Sequence, residues 1–81
     1  MITTLDKLQK GDKATVFGYL PSSHAQRSKL LALGFTKGTK IKLSNIAPLG
    51  NPLQIDVRGS SISLRRNEAA IIQVETIDKP A

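Results

Sequence analysis

Leu53-Gln54-Ile55-Asp56-Val57-Arg58-Gly59-Ser60-Ser61-Ile62-Ser63-Leu64-Arg65 carries the clearest structural pattern in the chain. Apolar and polar residues alternate from Leu53 to Arg58, the chain turns at Gly59-Ser60, and the alternation resumes from Ser61 to Arg65. Successive side chains of a strand point to opposite faces, so this pattern predicts a β-hairpin. Leu53, Ile55, Val57, Ile62 and Leu64 form its apolar face, and the other face is polar.

The same logic extends outward in both directions. After Gly38, Ile41 and Leu43 point one way while Lys40, Lys42 and Ser44 point the other, which predicts another strand. Lys13 to Leu20 is rich in β-branched and aromatic residues and suits a first strand. Asn67-Glu68-Ala69 makes a short turn before a last strand, Ala70 to Glu75. One helix lies between the first and second strands: Ser22 or Ser23 caps it, with Gln26 three residues after Ser23 as in a capping box. His24 to Leu33 contains no Pro, Gly or β-branched residue, and Gly34 supplies a helix-closing conformation. About five short strands and one short helix give a mainly β chain, folded as a small antiparallel barrel whose closure protects its edges. Residues 1–77 form one domain and 78–81 a frayed tail.

A single domain of 81 residues buries only about 60% of the surface its unfolded chain exposes, so its core is small. There is no cysteine, which excludes disulfides, thiolate metal sites and thiol nucleophiles and fits a reducing cytoplasm. Neither a signal peptide nor a long apolar span is expected, because charge interrupts the N-terminal residues at Asp6 and Lys7. The net charge of +6, from 12 Lys+Arg against 6 Asp+Glu, suits an anionic partner or serves solubility.

Candidate chemistry is sparse. The lone histidine, His24, has no acid–base companion that the sequence places beside it, and no phosphate-cradling glycine loop is present, so no catalytic residue and no cofactor are assigned. The potential metal ligands His24, Asp6, Asp12, Asp56, Glu68, Glu75 and Asp78 are scattered singly, and no metal site is assigned. Two Phe, one Tyr and no Trp are too few for the aromatic groove that receives proline-rich peptides. The strongest alternative is nucleic-acid binding through a basic stripe of Lys37, Lys40, Lys42, Arg58, Arg65 and Arg66.

Four blocks, at residues 5–16, 29–41, 47–55 and 62–69, stand in an order and at spacings that together resemble the FeoA family. Leu5-x-x-Leu8-x-x-Gly11 leading into Ala14-x-Val16 resembles its opening. Lys29 to Gly34, with Phe35, Gly38, Thr39 and Ile41, resembles its helix, glycine and strand. Ala47-Pro48-Leu49-Gly50-Asn51-Pro52-Leu53-x-Ile55 resembles its proline–glycine loop. Ile62-Ser63-Leu64-Arg65-Arg66-x-Glu68-Ala69 resembles its closing strand and turn. The resemblance implies an SH3-like barrel and a non-enzymatic cytoplasmic role in ferrous iron import, assisting the membrane permease and GTPase FeoB. It also implies kinship with the SH3-like domain of DtxR-type metal-dependent repressors, an alternative metal-sensing reading.

Gly11, Gly34, Gly38, Pro48, Gly50, Pro52 and Gly59 are expected to set turns and carry no chemistry of their own. The expected partner-binding surface is the helix with its following turn. Leu31 and Leu33 lie on different sides of a helix, so a small core has difficulty burying both together with Leu30. A leucine left outside would anchor an interface, with Arg27 and Lys29 as its rim.

Overall fold

The computed structural model describes residues 1–76, so the expected tail and Asp78 lie outside the described residues. Six strands form one antiparallel sheet: β1 (Ile2–Thr4), β2 (Lys13–Tyr19), β3 (Lys40–Ile46), β4 (Leu53–Val57), β5 (Ser60–Leu64) and β6 (Ile72–Thr76), in the order β1-β6-β2-β3-β4-β5. Helix α1 (His24–Ala32) joins β2 to β3, and a short helix α2 (Arg66–Ala69) joins β5 to β6. Among the described residues, no helix is long and apolar enough to cross a membrane.

The hairpin forms as the alternation predicts. Leu53 pairs with Leu64 and Ile55 with Ile62; Leu53, Ile55, Val57 and Leu64 are fully buried, while Ile62 packs against the core from a partly buried position. The turn itself sits one residue earlier than expected, at Arg58-Gly59, with φ of 51° and 81°. A two-residue hairpin loop of this kind has positive φ at both positions, because that twist matches the flanking strands. Arginine is an uncommon occupant there, which is why the alternation alone placed the turn at Gly59-Ser60.

Two further expectations are corrected. The sheet has a sixth strand, β1, whose residues pair with β6 from Ile2–Glu75 to Thr4–Gln73. Three residues are too few for periodicity to identify; the pairing comes from a strand near the other end of the described chain. The Asn67-Glu68-Ala69 turn is one turn of helix, α2, with Ala69 buried beneath it. In the ladder of the described residues β1 and β5 are the two end strands, with a gap in strand pairing between them. Arg66 bridges that gap: Nη1 donates to the Asp6 carbonyl just after β1 (2.9 Å), and Nε donates to the Gly50 carbonyl (2.7 Å). The Arg66 backbone N–H donates to Asn51 Oδ1 at 2.8 Å. One guanidinium thus ties the β5–α2 junction to the segment after β1 and to the β3–β4 loop.

The core lies on the concave face of the sheet, built from Leu5, Leu8, Ala14, Val16, Ile41, Leu43, Val74 and the inward hairpin residues, with Leu30 and Phe35 covering one end. Register shifts at Val16/Gly18 and Leu43/Asn45 bend β2 and β3. Bulges of this type sharpen local twist and let a sheet of short strands curl around its apolar face.

Candidate docking groove

Helix α1 is fixed at both ends by local chemistry. The Gln26 N–H donates to Ser23 Oγ (3.1 Å) and the Ser23 N–H donates to Gln26 Oε1 (3.2 Å), the reciprocal pair that the sequence predicts. At the other end Gly34, with φ 107°, closes a Schellman motif: its N–H donates to the Leu31 carbonyl (3.0 Å), and the Phe35 N–H donates to the Leu30 carbonyl (3.1 Å). Leu30 and Phe35, brought together by that turn, are both buried. A side chain at Gly34 would also press on Val57, whose Cγ1 is 3.3 Å from where a Cβ would sit.

This geometry sorts the predicted contact residues. Leu30 is 1% exposed and belongs to the core, which corrects its place in the expected interface; Leu31 is 45% exposed and Leu33 36%. Each helical residue advances about 100° around the axis. Leu31 and Leu33 therefore lie on opposite flanks of the inward-pointing Leu30 and form no single patch. On one flank Leu31 shares a face with His24, Arg27 and Ser28, and on the other Leu33 shares a face with Gln26 and Lys29.

The two flanks differ in their availability. Lys29 Nζ is 2.6 Å from Glu68 Oε2 on α2, while Glu68 Oε1 accepts the Arg65 N–H at 3.0 Å. The Lys29 hydrogen bond, with that backbone N–H, holds the Glu68 carboxyl below its ordinary pKa against the opposing effect of partial burial. Lys29 is thus engaged within the fold. On the other flank Leu31, Arg27, Ser28 and His24 face β2 across a groove of about 350 Å³, floored by Val16, Gly18, Tyr19 and Phe35 and completed by Lys37. Tyr19 donates its hydroxyl to the Phe35 carbonyl, and partial burial raises its pKa. Arg27 and Lys37 rim this groove without a salt bridge among the described residues. Phe17, 44% exposed, lies beside it, with Lys37 Nζ 6.0 Å from its ring centroid.

The remaining candidates disperse. His24 is exposed at the start of α1, 3.3 Å from Ser28 Oγ. Asp12 Oδ2 accepts the Gln9 N–H in a turn. Among the described residues no three His, Asp or Glu side chains gather as metal ligands would. Gly11, Gly38, Gly50 and Gly59 all have positive φ, and the loop holding Pro48 and Pro52 is closed by Ala47 N–H to Pro52 carbonyl and Gly50 N–H to Ala47 carbonyl. The expected basic stripe is not one surface. Arg66 is spent on internal carbonyls, and Arg65 lines a depression between α1 and α2 with Lys29 and Glu68. Sequence reasoning overlooked Lys13, although Ala14 and Val16 pointing inward put Lys13, Thr15 and Phe17 outward.

The family model of the FeoA domain matches residues 3–76. The chain belongs to the FeoA family. FeoA proteins are accessories of ferrous iron transport rather than a known class of enzymes. This FeoA chain is 34% identical over 77 residues to the Fe(2+) transport protein A/Fe(2+) transporter FeoB fusion protein of Porphyromonas gingivalis; the match takes in 95% of this chain and 9% of the fusion protein. Among solved structures, the FeoA-like protein of Clostridium acetobutylicum superimposes with a TM-score of 0.90 at 34% identity, over 99% of this chain and 92% of that one. Zinc-complexed FeoA of Stenotrophomonas maltophilia, described as a prokaryotic SH3 domain protein, gives 0.79 at 30% identity over 90% and 89% of the two chains. The SH3-like fold implied by the sequence resemblance is the fold observed.

Proposed function

We propose that this FeoA-family chain is a non-enzymatic docking module that binds a FeoB-type membrane permease and GTPase from the cytoplasmic side and biases its conformation. The observation that carries the proposal is Leu31, which projects from a helix capped at both ends beside an aromatic-floored groove rimmed by Arg27 and Lys37, neither in a salt bridge among the described residues. An exposed leucine fixed on a well-ordered element suits an interface anchor, and cations at the rim steer an acidic partner surface. The relative in which a FeoA segment is joined to FeoB supports the choice of partner. The site refines the surface expected from sequence: Leu31 and Arg27 contribute, Lys29 and Leu33 occupy the other flank, and Leu30 supports from below.

A module without reactive groups acts by binding one state of its partner more tightly, by about 1–3 kcal/mol for typical coupling. The test is co-purification of tagged chain with FeoB from detergent-solubilised membranes. Leu31→Asp should abolish recovery while leaving the circular dichroism spectrum and melting temperature near those of the parent. Undiminished recovery with Leu31→Asp would refute the groove as the contact.

A further inference from the structure

The outer face of β2, β3 and β4 carries a charge arrangement that works against the fold. Lys13 stands directly opposite Lys42 across the β2–β3 pair. One step along, Lys40 is level with Arg58, since Ile41 pairs with Val57. All four are exposed, and like charges directly opposite one another destabilise a sheet. Arg58 moreover occupies a positive-φ turn position that glycine or asparagine would fill with less strain; its guanidinium leans on the hydroxyls of Thr36 (3.3 Å) and Thr39 (3.5 Å). Lys37 joins Lys40 and Arg58 around one shallow depression, and Lys13 and Lys42 join the same pair around the next. Asp56 and Glu75 lie on this face, level with Lys42 and Thr15, yet neither forms an ion pair among the described residues. Phe17, the next outward residue of β2 after Lys13 and Thr15, is exposed at its border.

We propose that this face binds a bilayer surface rich in anionic lipid, with Lys13, Lys40, Lys42 and Arg58 among the headgroup phosphates and Phe17 at the interface. The lysines are flexible point charges that make no side-chain hydrogen bond among the described residues, which suits a fluid array of phosphates better than a fixed partner geometry. They spread over a convex strand face with a single exposed aromatic, whereas single-stranded nucleic acid requires stacking platforms for successive bases. Each basic residue near an anionic leaflet strengthens attachment about five-fold. A weakly held module would thereby be concentrated where a membrane partner resides.

The experiment is co-sedimentation of the full chain with phosphatidylglycerol/phosphatidylcholine vesicles and with phosphatidylcholine vesicles alone, in about 0.1 M salt, where surface charge is only partly screened. Partitioning to the anionic vesicles alone is expected. Lys13→Glu should lower it at least about ten-fold, because one attraction is lost and one repulsion gained. The same change turns a like-charge cross-strand pair into an opposite-charge one, so the melting temperature should hold or rise. Phe17→Ser should weaken binding without altering its salt dependence. No binding of the parent chain, equal binding to neutral vesicles, unchanged binding of Lys13→Glu, or preferential retention on single-stranded DNA would each overturn the proposal. No transporter is present in the vesicles, so failure here leaves the docking groove standing, and failure of FeoB recovery leaves this face untouched.

Discussion

Leu30 and Leu31 are sequence neighbours with opposite expected behaviour, and truncating each to alanine isolates what the helix contributes to stability. Leu30 is 1% exposed and packs under the Schellman turn beside Phe35. Removing three carbons there leaves a cavity, which costs about 2–5 kcal/mol. For a domain of this size each kcal/mol lowers the melting temperature by about 4–8 °C, so Leu30→Ala should lose roughly 8–40 °C. Leu31 is 45% exposed, so it keeps only about half of the roughly 2 kcal/mol that full burial of a leucine supplies. Alanine's higher helix propensity offsets part of the remaining ~1 kcal/mol. Leu31→Ala should therefore shift the transition by only a few degrees while reducing FeoB recovery. Far-UV circular dichroism melts of both variants, with urea unfolding as a second probe, provide the comparison. Equal losses for the two variants, or a Leu30→Ala protein as stable as the parent, would refute the division of the helix into a core side and an open flank.

Two further outcomes follow from side chains that join distant segments. Arg66→Met retains the stem but removes two charge-assisted hydrogen bonds to carbonyls, with an expected loss of about 2–4 kcal/mol in urea unfolding; Arg66→Lys should not restore it, since an ammonium lacks the planar fork that reaches both Asp6 and Gly50. The lowered pKa of Glu68 makes its contribution present above the ordinary carboxylate range, lost as pH falls through the lower folded value. Stability measured from neutral pH down to about pH 3 should fall less steeply in Glu68→Gln than in the parent, with a difference below about 1 kcal/mol for so exposed a pair. Identical slopes would mean that the Lys29–Glu68 bridge adds nothing in solution.

Local chemistry was sufficient to establish the hairpin strands, the Ser23–Gln26 cap, the Gly34 helix stop and the mainly β class, because alternation, capping and left-handed turns act over two to five residues. Leu30, Leu31 and Leu33 showed only that a small core could hardly take all three. Which one went inside was decided by the placement of α1 over β2 and by the Gly34 turn that stacks Leu30 on Phe35. The contribution of Arg66 was invisible for a similar reason. Its basic neighbours suggested a surface stripe, but the carbonyl it reaches on Asp6 lies 60 residues away. The β1–β6 pairing likewise spans nearly the whole chain, and a three-residue strand has no pattern of its own. Short-range periodicity thus settled the five longer strands, helix α1 and their inward faces. Which flank of the helix remains open, where the exposed cations gather and how the ends of the sheet are tied emerged from the packing of the whole chain, because those depend on long-range register that no local pattern encodes.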